Sequence, residues 1–263
     1  MGWLAIVINF FSLRKMKKSL RIGNSHTARE IRLAGEPTTY TYRTYPGGSL
    51  MRNADLYKVS RDLREIKKEN YEHLIVQFGG NEAYDECKKP KYENHIMYNS
   101  RRIIQNLHRA QRGVWDPQDP CNTFFYYEGA LKQSLETFVG EFLRRIDGCV
   151  QILGVREITI IAPGPRWLKS PSDNGIYNTV CYYLSHQLKL GAKSFWDNHH
   201  VQVLDPFLMQ WGLNLADTDS LKIIHNPKEV RQTLECTSKY GATHYTNDIY
   251  LRINRELSLF GIE

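Results

Sequence analysis

Along this chain, short apolar runs with a period of two, or with no interruption, are separated by longer stretches whose apolar residues recur three and four apart. Leu20 and Ile22 alternate with polar neighbours and predict a first strand over 19–23. Residues 38–45 (TTYTYRTY) are rich in Thr and Tyr, which suit strands, and Pro46-Gly47-Gly48 ends that run. Residues 73–78 (HLIVQF) and 157–162 (EITIIA) have the length and apolarity of buried parallel strands. They stop at Gly79-Gly80 and Pro163-Gly164-Pro165, and residues 201–204 (VQVL) make a fifth strand. Helical spacing predicts helices over 52–69 (Leu56, Val59, Leu63, Ile66), 92–112, 129–153, 176–196 and 246–258 (Ile249, Ile253, Leu257). The clearest stripe is Leu131, Leu135, Phe138, Phe142, Ile146, Val150 and Leu153, preceded by a predicted loop at 115–123 with Pro117 and Pro120.

Strands alternating with amphipathic helices predict an α/β fold: three α/β/α layers around a central, mostly parallel five-stranded sheet. No internal repeat or low-complexity segment interrupts it, so residues 19–263 read as a single domain. Residues 84–128 form a long insertion between the third and fourth strands, and its Tyr and Trp residues suit a lid over a pocket. In parallel sheets ligands bind beyond the carboxyl ends of the strands. Three of those ends carry unusual residues: Gly23-Asn24-Ser25, Pro46-Gly47-Gly48 and Gly79-Gly80-Asn81-Glu82. They are expected to meet at one edge.

Composition adds little. Hydrophobic residues at 41% and charged ones at 24% are ordinary for a globular chain of 263 residues. The net charge of +7 suits nucleic acid or anionic surfaces, but the charges are scattered, and solvated faces are the commoner reason. That holds for Arg101, Arg102, Arg109 and Arg112, and for the Lys/Arg clusters at 14–21 and 61–68. Cys87, Cys121, Cys149, Cys181 and Cys236 are odd in number and show no CxxC spacing, which points to neither a disulfide framework nor a zinc site. Reduced thiols slightly favour an intracellular setting. Residues 1–18 form an apolar and basic segment, WLAIVINFF followed by RKMKK. The apolar run is too short to span a bilayer. A poor signal peptide, a peripheral anchor and a packed strand all fit it, as does a natural start at Met16.

A hydrolytic serine needs a base within hydrogen-bond reach and donors for the oxyanion. Ser25 stands where the first strand should hand over to a helix, so its N–H can face developing negative charge. Gly47 or Gly48 can bring a second N–H close, and Asn81 a side-chain N–H. His244, in GATHYTND before the last helix, is well placed as a base. Singly, each has a plainer role: Ser25 as a helix cap, the glycines as a turn, Asn81 as a loop residue, His244 as one exposed histidine among nine. Glu82 reads as a local cap or bridge. His26 reads as a wall of the site, because adjacent residues at a helix start point in different directions. Tyr40, Tyr42, Tyr45, Tyr126 and Tyr127 can stack on sugars or bases, although packing is the commoner reason for such tyrosines.

Taken together and in this order, the residues resemble the SGNH/GDSL hydrolase superfamily, named for Ser, Gly, Asn and His. Its G-D-S block is matched by Gly23-Asn24-Ser25, its glycine after the second strand by Gly47 or Gly48, and its G-x-N-D block by Gly79-Gly80-Asn81-Glu82. The histidine of its final D-x-x-H block and the helix that follows are matched by His244 and HYTNDIYLRINREL. The resemblance implies a flavodoxin-like fold, with Ser25 as the nucleophile of an esterase or deacetylase and His244 as its base. The N–H of Ser25, the N–H of Gly47 or Gly48 and the Asn81 side chain would form the oxyanion hole. No metal or organic cofactor is implied. A small ester, an acetylated carbohydrate or a lipid would be the substrate.

Two departures stand out. Asn24 replaces the usual aspartate, and Gly241 stands where the family has its triad aspartate, three residues before the histidine. A backbone carbonyl could orient His244 instead, giving a Ser–His dyad; so could Glu235, Asp219 or Asp217. Losing the orienting acid of a related triad costs about 10⁴ in rate and leaves the fold intact. A second reading is therefore a retired module that binds RNA or a protein, and a third is an acyltransferase using the same serine.

Overall fold

Five strands of five residues each pair in parallel: β1 (Ser19–Gly23), β2 (Tyr40–Thr44), β3 (His73–Gln77), β4 (Glu157–Ile161) and β5 (His200–Leu204). The computed structural model that shows them describes residues 18–34, 40–82, 120–164, 171–206 and 244–259. The sheet order is β2-β1-β3-β4-β5. This is the doubly wound, flavodoxin-like order, in which the chain leaves β1 in one direction and then returns past it, opening a crevice at the carboxyl ends of β1 and β3. The register sets Gly23 beside Thr44 on one side and Gln77 on the other, so the three marked strand ends are neighbours.

The helices are α1 (Ser25–Ala34), α2 (Asn53–Ile66), α3 (Pro120–Leu153), α4 (Pro171–Phe195) and α5 (Asn247–Leu259). Strand alternation sends successive side chains to opposite faces. Leu20, Ile22, Leu74, Val76, Ile158 and Ile160 face one way, into a core with Val59 and Leu63 of α2, Phe138, Phe142 and Ile146 of α3, and Leu184 and Leu188 of α4. Arg21, of the other parity, reaches Asn254 of α5 at 3.5 Å and Gln77 at 3.1 Å, and α1 packs against α5 there. The three layers expected from the alternation of elements are thus present.

Most expected elements recur within one or two residues, and the two largest differences have one cause. The helix expected over 129–153 begins at Pro120, so the stretch 120–123 expected as loop, and Tyr126 and Tyr127, are helical. The helix expected from 176 begins at Pro171. Proline suits the first turn, where its missing N–H has no helical acceptor, but in sequence it resembles a break. In the α3 stripe, Phe138, Phe142, Ile146, Val150 and Leu153 are buried. The side chains of Leu131 and Leu135 lie outside the described residues, as do residues 1–17 and the helix expected over 92–112.

Tyr45 follows β2 into the core and donates its hydroxyl to Asp62 at 3.2 Å. Burial, with Asp62 beside it, pushes that hydroxyl well above its usual range, so this tyrosine packs. Cys149 and Cys181 are buried, and burial pushes the Cys149 thiol up to about 12. Arg61 and Arg64 on α2, and Lys67 and Lys68 in the 3-10 turn that follows it (Lys67–Glu69), are exposed, with Arg61 paired to Asp62 and Glu65. Among the described residues no helix is long and apolar enough to cross a membrane.

Candidate functional site

The site is built from the three adjoining strand ends and the segment before α5. At the end of β1 the chain turns directly into α1. The Asn24 carboxamide accepts the His26 N–H at 3.0 Å, capping the helix, and the Asn24 carbonyl starts the helical ladder by accepting Ala28 N–H. Asparagine thus does the capping work at a position where the resembled family has aspartate. Ser25 is the first residue of α1 and half-buried. Gly23 before it has no room for a side chain: a Cβ there would strike Thr27 Oγ1, which donates to Gln77 Oε1 on β3.

After β2, Tyr45-Pro46-Gly47-Gly48 forms a tight turn closed by the Gly48 N–H donating to the Tyr45 carbonyl at 2.8 Å. Gly47 takes φ of +72°, as the third position of a Pro-Gly turn requires. Of the two glycines, Gly48 therefore has its N–H engaged in the turn, while the Gly47 N–H lies outside that bond. The Gly48 carbonyl accepts from Asn81 Nδ2 at 3.0 Å, which joins the end of β3 to the loop after β2.

Glu82 ties the same loops together more deeply. Its carboxylate is buried and accepts the Leu50 N–H at 2.7 Å and the Gly79 N–H at 2.8 Å. It is a bridge, as its position suggests, but between segments about thirty residues apart. Burial raises its pKa against the pull of its hydrogen-bond donors. Another carboxylate at this sheet edge, Asp205 after β5, is paired with Lys189 of α4 at 2.9 Å.

His244 arrives from the other side. Its ring lies against His26, the neighbour of Ser25, with centroids 5.2 Å apart. The following residue, Tyr245, packs against His26 at 4.8 Å, and its N–H donates to Tyr250 Oη at 3.2 Å. Gly164, after β4, leaves space for the Tyr245 hydroxyl, with Pro206 nearby; a Cβ at Gly164 would fall on that hydroxyl. Tyr250 Oη also lies 3.0 Å from His26 Nδ1.

Ser25, Gly47, Gly48, Asn81 and His244 are thus on segments that meet at one edge of the sheet. Gly241, Glu235, Asp219 and Asp217 lie outside the described residues. Among the described residues no three His, Cys, Asp or Glu side chains gather as a metal site. Sequence reasoning missed the partnership of His26 with Tyr250, which are 224 positions apart. The available signal was a tyrosine on the apolar face of the last helix, next to Ile249 and Ile253.

No family model and no curated protein sequence matches the chain. Solved structures similar to it include a GDSL-like lipase from Bacteroides thetaiotaomicron, with 10% identity, a TM-score of 0.45, and 95% of this chain and 89% of that one covered. A lipolytic protein of the G-D-S-L family from Veillonella parvula shows 11% identity and a TM-score of 0.46, over 92% and 96% of the two chains. An acetylxylan esterase from Geobacillus stearothermophilus shows 13% identity and a TM-score of 0.43, over 94% of each. In the order of its motifs, and in carrying them at the carboxyl edge of a flavodoxin-like sheet, the chain resembles the SGNH/GDSL hydrolases.

Proposed function

We propose that this protein is a hydrolase of the SGNH kind that cleaves a carboxylic ester through an acyl-enzyme on Ser25. The observation that carries this reading is the meeting of four separate sequence blocks at one sheet edge. Asn81 bonds the Gly48 loop, and His244 lies against the neighbour of Ser25. In the proposed reaction Ser25 Oγ attacks the ester carbonyl carbon while His244 takes its proton. The oxyanion is held by the N–H groups of Ser25 and Gly47 and by the Asn81 side chain. Collapse breaks the bond to the alkoxy oxygen, which leaves as the alcohol with the proton from His244. Water, deprotonated by His244, then attacks the acyl carbon and frees Ser25 and a carboxylic acid. Small esters, acetylated carbohydrates and lipids all have the chemistry this site would act on.

Gly241 favours a second reading, a binding module that has lost its catalysis. Hydrolysis of p-nitrophenyl acetate separates the two. The enzyme reading expects turnover that Ser25→Ala abolishes without loss of folding. The module reading expects equal, background rates from both proteins.

A further inference from the structure

His26 is a buried histidine beside the site that the proposed reaction leaves without a task. Its backbone N–H is held by Asn24, its Nδ1 by Tyr250, and its ring lies against Tyr245 and His244. Tyr250 is fully buried, and its hydroxyl meets both the Tyr245 N–H and His26 Nδ1. The Tyr245 N–H can only donate, so Tyr250 Oη accepts from it at 3.2 Å. A phenol has a single proton to give, and His26 Nδ1 at 3.0 Å is an acceptor in reach.

We infer that His26 is a positioning residue for His244, locked by the chain Tyr245 N–H to Tyr250 Oη to His26 Nδ1. The inference rests on the reading of His244 as the base. The chain leaves Nδ1 of His26 without a proton, puts the proton on Nε2 and fixes the ring plane. A base must be held in one orientation to serve, and a carboxylate commonly does this. Here the sequence offers Gly241 at the usual acid position, while a locked imidazole stands 5.2 Å from the His244 ring, tilted by 49°. His26 restrains His244 without contributing negative charge. The same chain explains why His244 and the start of α5 dock against α1: Tyr250, one turn into α5, joins the backbone beside His244 to the residue beside Ser25.

The test is a nitrogen-15 spectrum of the histidine rings in the full chain at neutral pH, for wild type, Tyr250→Phe and His26→Gln. The expected wild-type spectrum shows His26 unprotonated at Nδ1 and protonated at Nε2. Tyr250→Phe keeps the buried ring, so it is expected to fold. It should draw the two His26 nitrogen shifts toward each other as the tautomers mix, and it should move the His244 resonances. A wild-type His26 protonated at Nδ1 would overturn the inference. So would His244 resonances that stay the same in both variants.

Phosphonate labelling of Ser25 adds a readout that packing alone would not move. His26→Leu is expected to slow labelling about 100-fold, the order of loss that follows from misplacing a reacting group by about 1 Å. His26→Gln, which keeps an acceptor for Tyr250 and a donor, should recover most of that rate. His26→Gln as slow as His26→Leu would count against the positioning role. Absence of labelling in wild type refutes the hydrolase reading instead, and the ring spectra, which need no turnover, still decide the role of His26.

Discussion

Glu82 holds two backbone N–H groups from different loops, one on each carboxyl oxygen. Glu82→Ala leaves the Leu50 and Gly79 N–H groups buried without that acceptor, at a cost of about 1–3 kcal/mol each. Thermal unfolding should show the loss as a lowered Tm. The pH dependence has a definite sign. Burial raises the folded pKa of this carboxyl above its unfolded value. Stability tied to it is therefore full below the unfolded value and is lost as pH rises through the folded one. The Tm advantage of wild type over the non-titrating Glu82→Gln should accordingly shrink as pH rises from about 4, the ordinary glutamate range, through the raised folded value. An advantage that grows with pH would mean that the N–H donors outweigh burial. Gly164→Ala tests the other side of the site. Its Cβ would fall on the Tyr245 hydroxyl and push the His244 segment away from α1. Ser25 labelling should slow by about tenfold or more, since small displacements of a reacting group have large effects. Unchanged labelling in the folded variant would show that Tyr245 does not set the position of His244. At this scale the sequence was informative about residue types: serine, glycine, asparagine and histidine stand where strand ends call for them. The Tyr250–His26 contact was hidden because it depends on how α5 docks, which no local pattern encodes.

At the scale of elements, α3 is the main prop of the core. Phe142 is fully buried and stacks on Phe138 at 6.2 Å. Phe142→Ala is expected to cost about 3–5 kcal/mol, as large-to-small core changes do. In a chain of this size that corresponds to a fall in Tm of roughly 6–20 °C by calorimetry. A fall of a degree or two would mean that α3 contributes little to folding. The helices were legible where their apolar stripes were regular, as in α2 and the 129–153 part of α3. Their beginnings were not, because Pro120 and Pro171 serve as first-turn residues while looking like interruptions. Tyr45 was legible as a strand-end aromatic, and its bond to Asp62 makes packing, rather than ligand stacking, its role.

At the scale of the whole molecule, alternation of strands and helices was enough to anticipate a parallel sheet covered on both faces. The carboxyl edge of that sheet follows from direction alone: five parallel strands must end together. This is why four weak motifs, each ordinary by itself, combine into one candidate site. What orients His244 was not legible, since Gly241 stands at the position where the resembled family has its acid and no local signal names another residue. The central claim is that Ser25 is a nucleophile. Its most direct test is incubation of the folded protein with a serine-directed fluorophosphonate, followed by peptide mass spectrometry, with Ser25→Ala alongside. The expected result is a single phosphonyl adduct on Ser25 that is absent from the variant. An unlabelled Ser25 in folded wild-type protein, or equal labelling of the variant at another residue, would contradict it.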